Sequence, residues 1–117
     1  IELGLKIPNI VDLALGMEKD VTPDIYLKAL AHGLDEIESK LGSRTPDLII
    51  VSAGYDGHKN DAAQFDKGFQ LETETFGEIS RKIKEKFPES KKMILLEGGY
   101  SDELQNSIVE TLKGFIP

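Results

Sequence analysis

The sequence predicts an α/β fold built on a short parallel sheet, a partial fold of about three strands and three helices. Three observations predict it. Leu48-Ile49-Ile50-Val51 and Met93-Ile94-Leu95-Leu96 are short apolar runs without polar alternation, the pattern of strands buried on both faces of a parallel sheet. Amphipathic helical stretches alternate with these runs, and alternation calls for parallel strands joined by right-handed crossovers. Each run also ends in a polar, glycine-bearing loop, at residues 54–61 and 98–100. Parallel strands share one carboxyl edge, so both loops open on the same rim, where ligands bind in open α/β sheets.

Taken in order, residues 10–15 (Ile10-Val11-Asp12-Leu13-Ala14-Leu15) can form a first short strand, and residues 16–21 a polar turn. The next helix has well-marked ends: Thr22 suits the N-cap, Pro23 the first helical position, Asp24 the positive end of the dipole, and Gly42 the residue past the last turn. Leu27, Leu30, Leu34, Ile37 and Leu41 form its apolar stripe. A second helix is predicted over residues 73–86, with Phe76, Ile79, Ile83 and Phe87 on one side and Pro88 as its stop. Ser101 caps a last helix with Asp102 and Glu103 in its first turn and Leu104, Ile108, Val109, Leu112 and Phe115 as its buried face.

The 117 residues suffice for one domain, and 39% apolar with 30% charged residues excludes a disordered chain. No cysteine is present, so a disulfide framework, thiolate metal site or cysteine nucleophile is excluded. Fourteen basic against 21 acidic residues give a net charge of −7, the wrong sign for holding nucleic acid through its phosphates. No apolar run has the length of a membrane span. The expectation is a soluble, cytoplasmic protein without nucleic-acid or membrane partners.

Asp56, at the end of the Leu48–Val51 run, is suited to hold a metal or exchange a proton, and equally to a turn or helix cap. His58 makes an Asp-x-His pair with it, able to offer oxygen and nitrogen to zinc, although Lys59 and Asn60 favour a solvated loop histidine. Asp61 reads as a loop-fixing carboxylate. Tyr100, after Gly98 and Gly99, could donate to a developing oxyanion or be a packed tyrosine after a turn. Glu97, on a strand expected to be buried, calls for a partner.

Pro46-Asp47-Leu48-Ile49-Ile50-Val51-Ser52-Ala53-Gly54-Tyr55-Asp56, followed by Leu95-Leu96-Glu97-Gly98-Gly99-Tyr100, resembles the carboxyl-terminal third of the histone deacetylase superfamily, which includes acetylpolyamine amidohydrolases and acetoin-utilisation type proteins. The resemblance implies a three-layer arginase/deacetylase-like sheet and a zinc-dependent deacetylase acting on acetylated protein or a small acetylated amine. It places a zinc ligand at Asp56, the oxyanion-stabilising tyrosine at Tyr100, and the acyl pocket at Gly98 and Gly99. The family's other zinc ligands and its proton-handling histidine pair would precede Ile1, and neither His32 nor His58 matches their motifs. Asp61-Ala62-Ala63-Gln64 replaces the usual Asp-Pro-Leu-Gly, and Phe65-Asp66-Lys67 looks inserted.

The chain therefore reads as a carboxyl-terminal fragment, inactive alone and without tightly bound zinc, whose exposed sheet edge predicts self-association. Two other readings stand beside it. Residues 56–61 imitate the Asp-x-His-x-x-Gly loop of a cobalamin-binding module, with Asp61 where the glycine belongs, and the chain could also be a non-catalytic deacetylase-like interaction domain.

Overall fold

The computed structural model describes residues 9–15, 20–62 and 68–117, ordered as α1 (Pro23–Leu41), β1 (Leu48–Gly54), α2 (Thr73–Lys86), β2 (Lys91–Gly98) and α3 (Leu104–Phe115). The helix ends follow local chemistry. Thr22 Oγ1 accepts the Ile25 N–H at 3.4 Å, Pro23 opens α1, and Gly42, at φ 66°, closes it by sending its N–H to the carbonyls of Glu38 and Ser39. At the start of α2 the Glu72 N–H donates to Thr75 Oγ1 at 3.1 Å. Ser101 Oγ accepts the Glu103 N–H at 3.1 Å, but residues 101–103 form a turn and regular helix begins only at Leu104.

β1 and β2 pair in parallel, from Leu48 opposite Lys91 to Ala53 opposite Leu96. The register then slips by one residue at Glu97, so that Gly54 faces Gly98. Among the described residues the sheet has these two strands. Residues 10–15, expected as a third, carry no strand; Leu13 instead lies against α1, where a Cβ on Gly33 would stand 2.7 Å from its Cδ1. The helix covers only part of its side chain, which stays 38% exposed. Of the expected turn after it, residues 16–19 lie outside the described residues, as do residues 63–67, which include the apparent insertion. Residues 68–71 are stitched on both sides: Val21 N–H donates to Gly68 O and Gln70 N–H to Val21 O, while Leu71 N–H donates to Gly57 O and Lys59 N–H to Leu71 O.

The helices cover one face of the sheet. Ile49 and Val51 pack with Leu34, Ile83 and Phe87; further along, Ala53 packs with Tyr55, Leu71 and Phe76. The strands were expected to be buried on both faces, and the structure corrects this. Leu48, Met93 and Leu95 are exposed on the uncovered face with Ile50 at 55%, while Leu96, which pairs with Ala53 on the other face, is also exposed. A strand with no polar alternation signals two apolar faces, but burial of the second requires a further layer that these residues do not supply. The result is a sheet and one helical layer, part of an arginase/deacetylase-like α/β fold.

The buried face of α3 is also corrected. Ser107, Thr111 and Gly114 are buried, whereas Val109 and Leu112 are exposed. Close approach to α2 explains the rotation: a Cβ on Gly114 would lie 2.4 Å from Gly77 O and 2.5 Å from Ser80 Cβ. Leu104, Ile108 and Phe115 flank this seam and fill the space beside it. Gly114→Ala should therefore overpack the seam and destabilise the fold by about 2 kcal/mol, while Leu112→Ser should change stability by less than about 0.5 kcal/mol. Urea denaturation of the two variants measures both.

Candidate functional site

The loops after β1 and β2 leave the sheet side by side because the strands are parallel. Their first link is Tyr55 N–H, which donates to Gly98 O at 2.8 Å. Gly99 follows at φ 137°, where a Cβ would stand 2.7 Å from Leu104 Cδ1 and 2.8 Å from Tyr55 Cβ, so both backbone and space demand glycine. Beyond this turn, the Tyr100 N–H donates to Asp61 Oδ2 at 2.7 Å, a charge-assisted bond from one loop to the other. Asp61 is buried, and it fixes a loop as expected, but the loop it fixes is the one that carries Tyr100.

Asp56 and Tyr100 come to neighbouring strand ends. Gly54 and Gly98 are cross-strand partners; a Cβ on Gly54 would lie 2.9 Å from Asp56 Oδ1, and one on Gly98 would lie 3.8 Å from the Tyr100 hydroxyl. Partner residues of adjacent strands are separated by about one strand spacing, 4.8 Å. The carboxylate and the phenol thus stand over the same stretch of rim, both open to solvent, with Tyr100 at 68% exposure. Tyr55 turns the other way: its ring packs on Phe76, and its hydroxyl donates to Thr111 Oγ1 at 2.9 Å.

His58 departs from the expected solvated loop residue, for it is only 2% exposed. Its Nδ1 accepts the Asn60 N–H at 3.1 Å and its Nε2 lies 3.0 Å from Thr73 Oγ1. The Thr73 hydroxyl donates in turn to Glu103 Oε2 at 3.0 Å. An Nδ1 that accepts and a hydroxyl already donating elsewhere together require Nε2 to carry the proton. Hydrogen bonds from Asn106 and Thr73 hold the Glu103 carboxyl below the usual range, outweighing the opposing effect of desolvation. Thr73 and Glu103 escape sequence reading because a threonine and a glutamate at helix starts look like ordinary capping residues.

Neither histidine is placed as a metal ligand. His58 has both nitrogens engaged, and His32 lies exposed on α1 with Nε2 2.8 Å from Glu36 Oε1. Glu97, expected to need a partner, is exposed at the bulge, where water solvates it. Among the described residues no three His, Cys, Asp or Glu side chains form a metal-binding group, and no helix is long and apolar enough to cross a membrane. A cavity of about 520 Å³ lies between the covered sheet face and the helices, lined by Val51, Ala53, Phe76 and Ile79. Asp56 reaches its edge, while Gly98, Gly99 and Tyr100 stand outside it. We take the strand-end rim rather than this apolar space as the candidate site.

A parallel α/β unit that presents a carboxylate and a phenol from adjacent strand ends gathers polar groups at the sheet's carboxyl edge, where ligands bind in open α/β sheets. The family description "Histone deacetylase domain" matches residues 8–114, and the chain belongs to that family. It is 31% identical over 99 residues to type-2 histone deacetylase 2 of Dictyostelium discoideum, an alignment that covers 82% of this chain and 6% of that protein. It is 34% identical over 93 residues to histone deacetylase 10, chloroplastic, of Oryza sativa subsp. japonica, covering 75% of this chain and 20% of the relative. An uncharacterized protein of Synechocystis matches at 34% over 90 residues, covering 76% and 27%. The chain thus spans about a quarter or less of the length of these relatives.

The Glu103 carboxyl titrates below its ordinary 4.5 in the folded chain, so its contribution to stability is present above that value and is lost as pH falls through the lower, folded one. In urea denaturation the stability gap between wild type and Glu103→Gln should accordingly be open at about pH 7 and narrow as pH falls below 4.5.

Proposed function

We propose that this chain is the carboxyl-terminal part of a zinc-dependent deacetylase that hydrolyses acetylated lysine or acetylpolyamine-type amides. Asp56 is a zinc ligand, Tyr100 the oxyanion donor, and Gly98 and Gly99 the wall of the acyl pocket. The observation that carries this reading is the pairing of Gly54 with Gly98, which sets the Asp56 carboxylate and the Tyr100 phenol over one stretch of rim.

The donor chemistry fits. An exposed carboxylate at the end of a rigid strand is a suitable oxygen ligand, and its exposure leaves room for water and substrate beside it. When bound, zinc supplies a Lewis acid for the amide carbonyl and lowers the pKa of the attacking water. The chain's own part is to place donors. Tyr100 offers its hydroxyl to the oxygen on which negative charge develops, and Gly98 and Gly99 let the acyl group come close to the backbone. Asp56 is a single donor, so the 117-residue chain alone holds zinc weakly and does not turn over substrate. Its uncovered sheet face favours self-association in isolation.

The cobalamin reading is disfavoured because the buried His58 ring has both nitrogens engaged, leaving none to meet cobalt.

In the full-length protein, Tyr100→Phe should lower kcat on an acetyl-lysine or acetylpolyamine substrate by about 100-fold. Asp56→Asn should lower zinc content measured by elemental analysis. Undiminished turnover by Tyr100→Phe would remove the oxyanion assignment. Isothermal titration of the 117-residue chain should show zinc binding no tighter than about micromolar, since one carboxylate lacks the further ligands of a closed or catalytic site. Submicromolar affinity would contradict the fragment reading.

A further inference from the structure

We propose that the hydrogen-bonded chain His58, Thr73 and Glu103 positions the phenol of Tyr100, acting through Asp61, and that these are positioning residues for the reaction at the strand-end rim. The inference rests on the reading of Tyr100 as the oxyanion donor.

The loop from Asp56 to Asp61 has no regular structure beyond its bridge to residue 71, and a loop holds a functional group in place only when something pins it. His58 is the pin. Its ring is buried in the middle of the loop, and its two nitrogens give it a defined direction: Asn60 N–H to Nδ1 at 3.1 Å, then Nε2–H to Thr73 Oγ1 at 3.0 Å. The far end is equally defined, since the Thr73 hydroxyl donates to Glu103 Oε2 at 3.0 Å. Three elements are tied by three side chains: the loop after β1, the first residue of α2 and the residue that precedes α3.

The link to Tyr100 is as short. The Asp61 N–H donates to the His58 carbonyl at 2.9 Å, so a displaced His58 displaces Asp61. Asp61 Oδ2 in turn holds the Tyr100 N–H at 2.7 Å. The Tyr100 ring is 68% exposed and receives little restraint from packing, which makes this backbone anchor the main constraint on where its hydroxyl stands. From the other side Glu103, at the end of the chain, precedes Leu104, whose Cδ1 closes on Gly99. The loop that carries Tyr100 is therefore held between Asp61 and the start of α3, and the His58 chain connects the two.

Thr73→Val in the full-length, zinc-loaded protein removes the hydroxyl and keeps the shape. We expect kcat to fall about tenfold or more, with KM within about twofold of wild type and zinc content unchanged. Thr73→Ser, which restores the hydroxyl, should return kcat to within about twofold. Nitrogen-15 NMR should show His58 as the Nε2-protonated tautomer in wild type and a mixture in Thr73→Val. Glu103→Ala, at a half-buried helix start, should show the same loss of kcat and decides the matter if Thr73→Val does not fold. Wild-type kcat in the folded variants, an equal loss in Thr73→Ser, or a loss carried by KM or zinc content would overturn the proposal. If wild type shows no deacetylation, the Tyr100 reading fails and the proposal with it. An Nε2-protonated His58 in that inactive protein would mark the error as one of function rather than of hydrogen bonding.

Discussion

The structure depends on the parallel pairing of β1 with β2 and on the one-residue slip that ends it. Six residue pairs run in register, and then Glu97 is passed over so that Gly54 meets Gly98. Side chains alternate faces along a strand, so without the slip the residues after β2 would leave the sheet with their directions reversed. The slip directs the Gly98 carbonyl to the Tyr55 N–H and carries the chain into the turn at Gly99. Everything on the rim inherits its placement from this irregularity. It also explains the exposure of Glu97, which has a place on the strand without a partner opposite.

The helices serve the rim through close packing. α3 meets α2 along small residues, with Gly114 against Gly77 and Ser80. This proximity brings the amino ends of the two helices near each other, and there Thr73 can reach Glu103. A bulky seam would separate the helix starts and leave the Thr73 hydroxyl short of its carboxylate acceptor. The buried Tyr55 belongs to the same layer, since its hydroxyl bonds Thr111 in the seam while its backbone holds Gly98. Sheet, seam and rim are therefore mechanically one assembly, and substitutions well below the rim can reach the site.

Much of this was legible in the sequence, for identifiable reasons. Thr22, Pro23 and Gly42 mark α1 because each satisfies a backbone requirement that is local, and Pro88 stops the chain just after α2 in the same way. The two strands and the order of the elements after residue 21 followed from apolar runs and periodicity, and the positions of Asp56 and Tyr100 beyond neighbouring strand ends followed from where those runs stop. What escaped depends on partners distant in sequence. His58 has polar neighbours and reads as a surface residue; its burial needs Thr73, fifteen residues on, and Thr73 needs Glu103. The face of α3 misled because Val109 and Leu112 are more hydrophobic than Ser107 and Gly114, although steric fit, not hydrophobicity, decides which side meets α2. Residues 10–15 have strand-like composition, yet composition does not state whether a sheet edge is within reach.

The bare face of the sheet has a consequence for how the polypeptide behaves in bulk solvent. Leu48, Ile50, Met93 and Leu95 form an adhesive plane on a molecule whose net charge of −7 supplies mutual repulsion. Acidification towards the isoelectric point near 4.8 brings the net charge to zero and removes that repulsion while leaving the greasy plane intact. The colloidal balance is therefore set by proton concentration, and clouding of a mildly acidified solution would precede any loss of secondary structure.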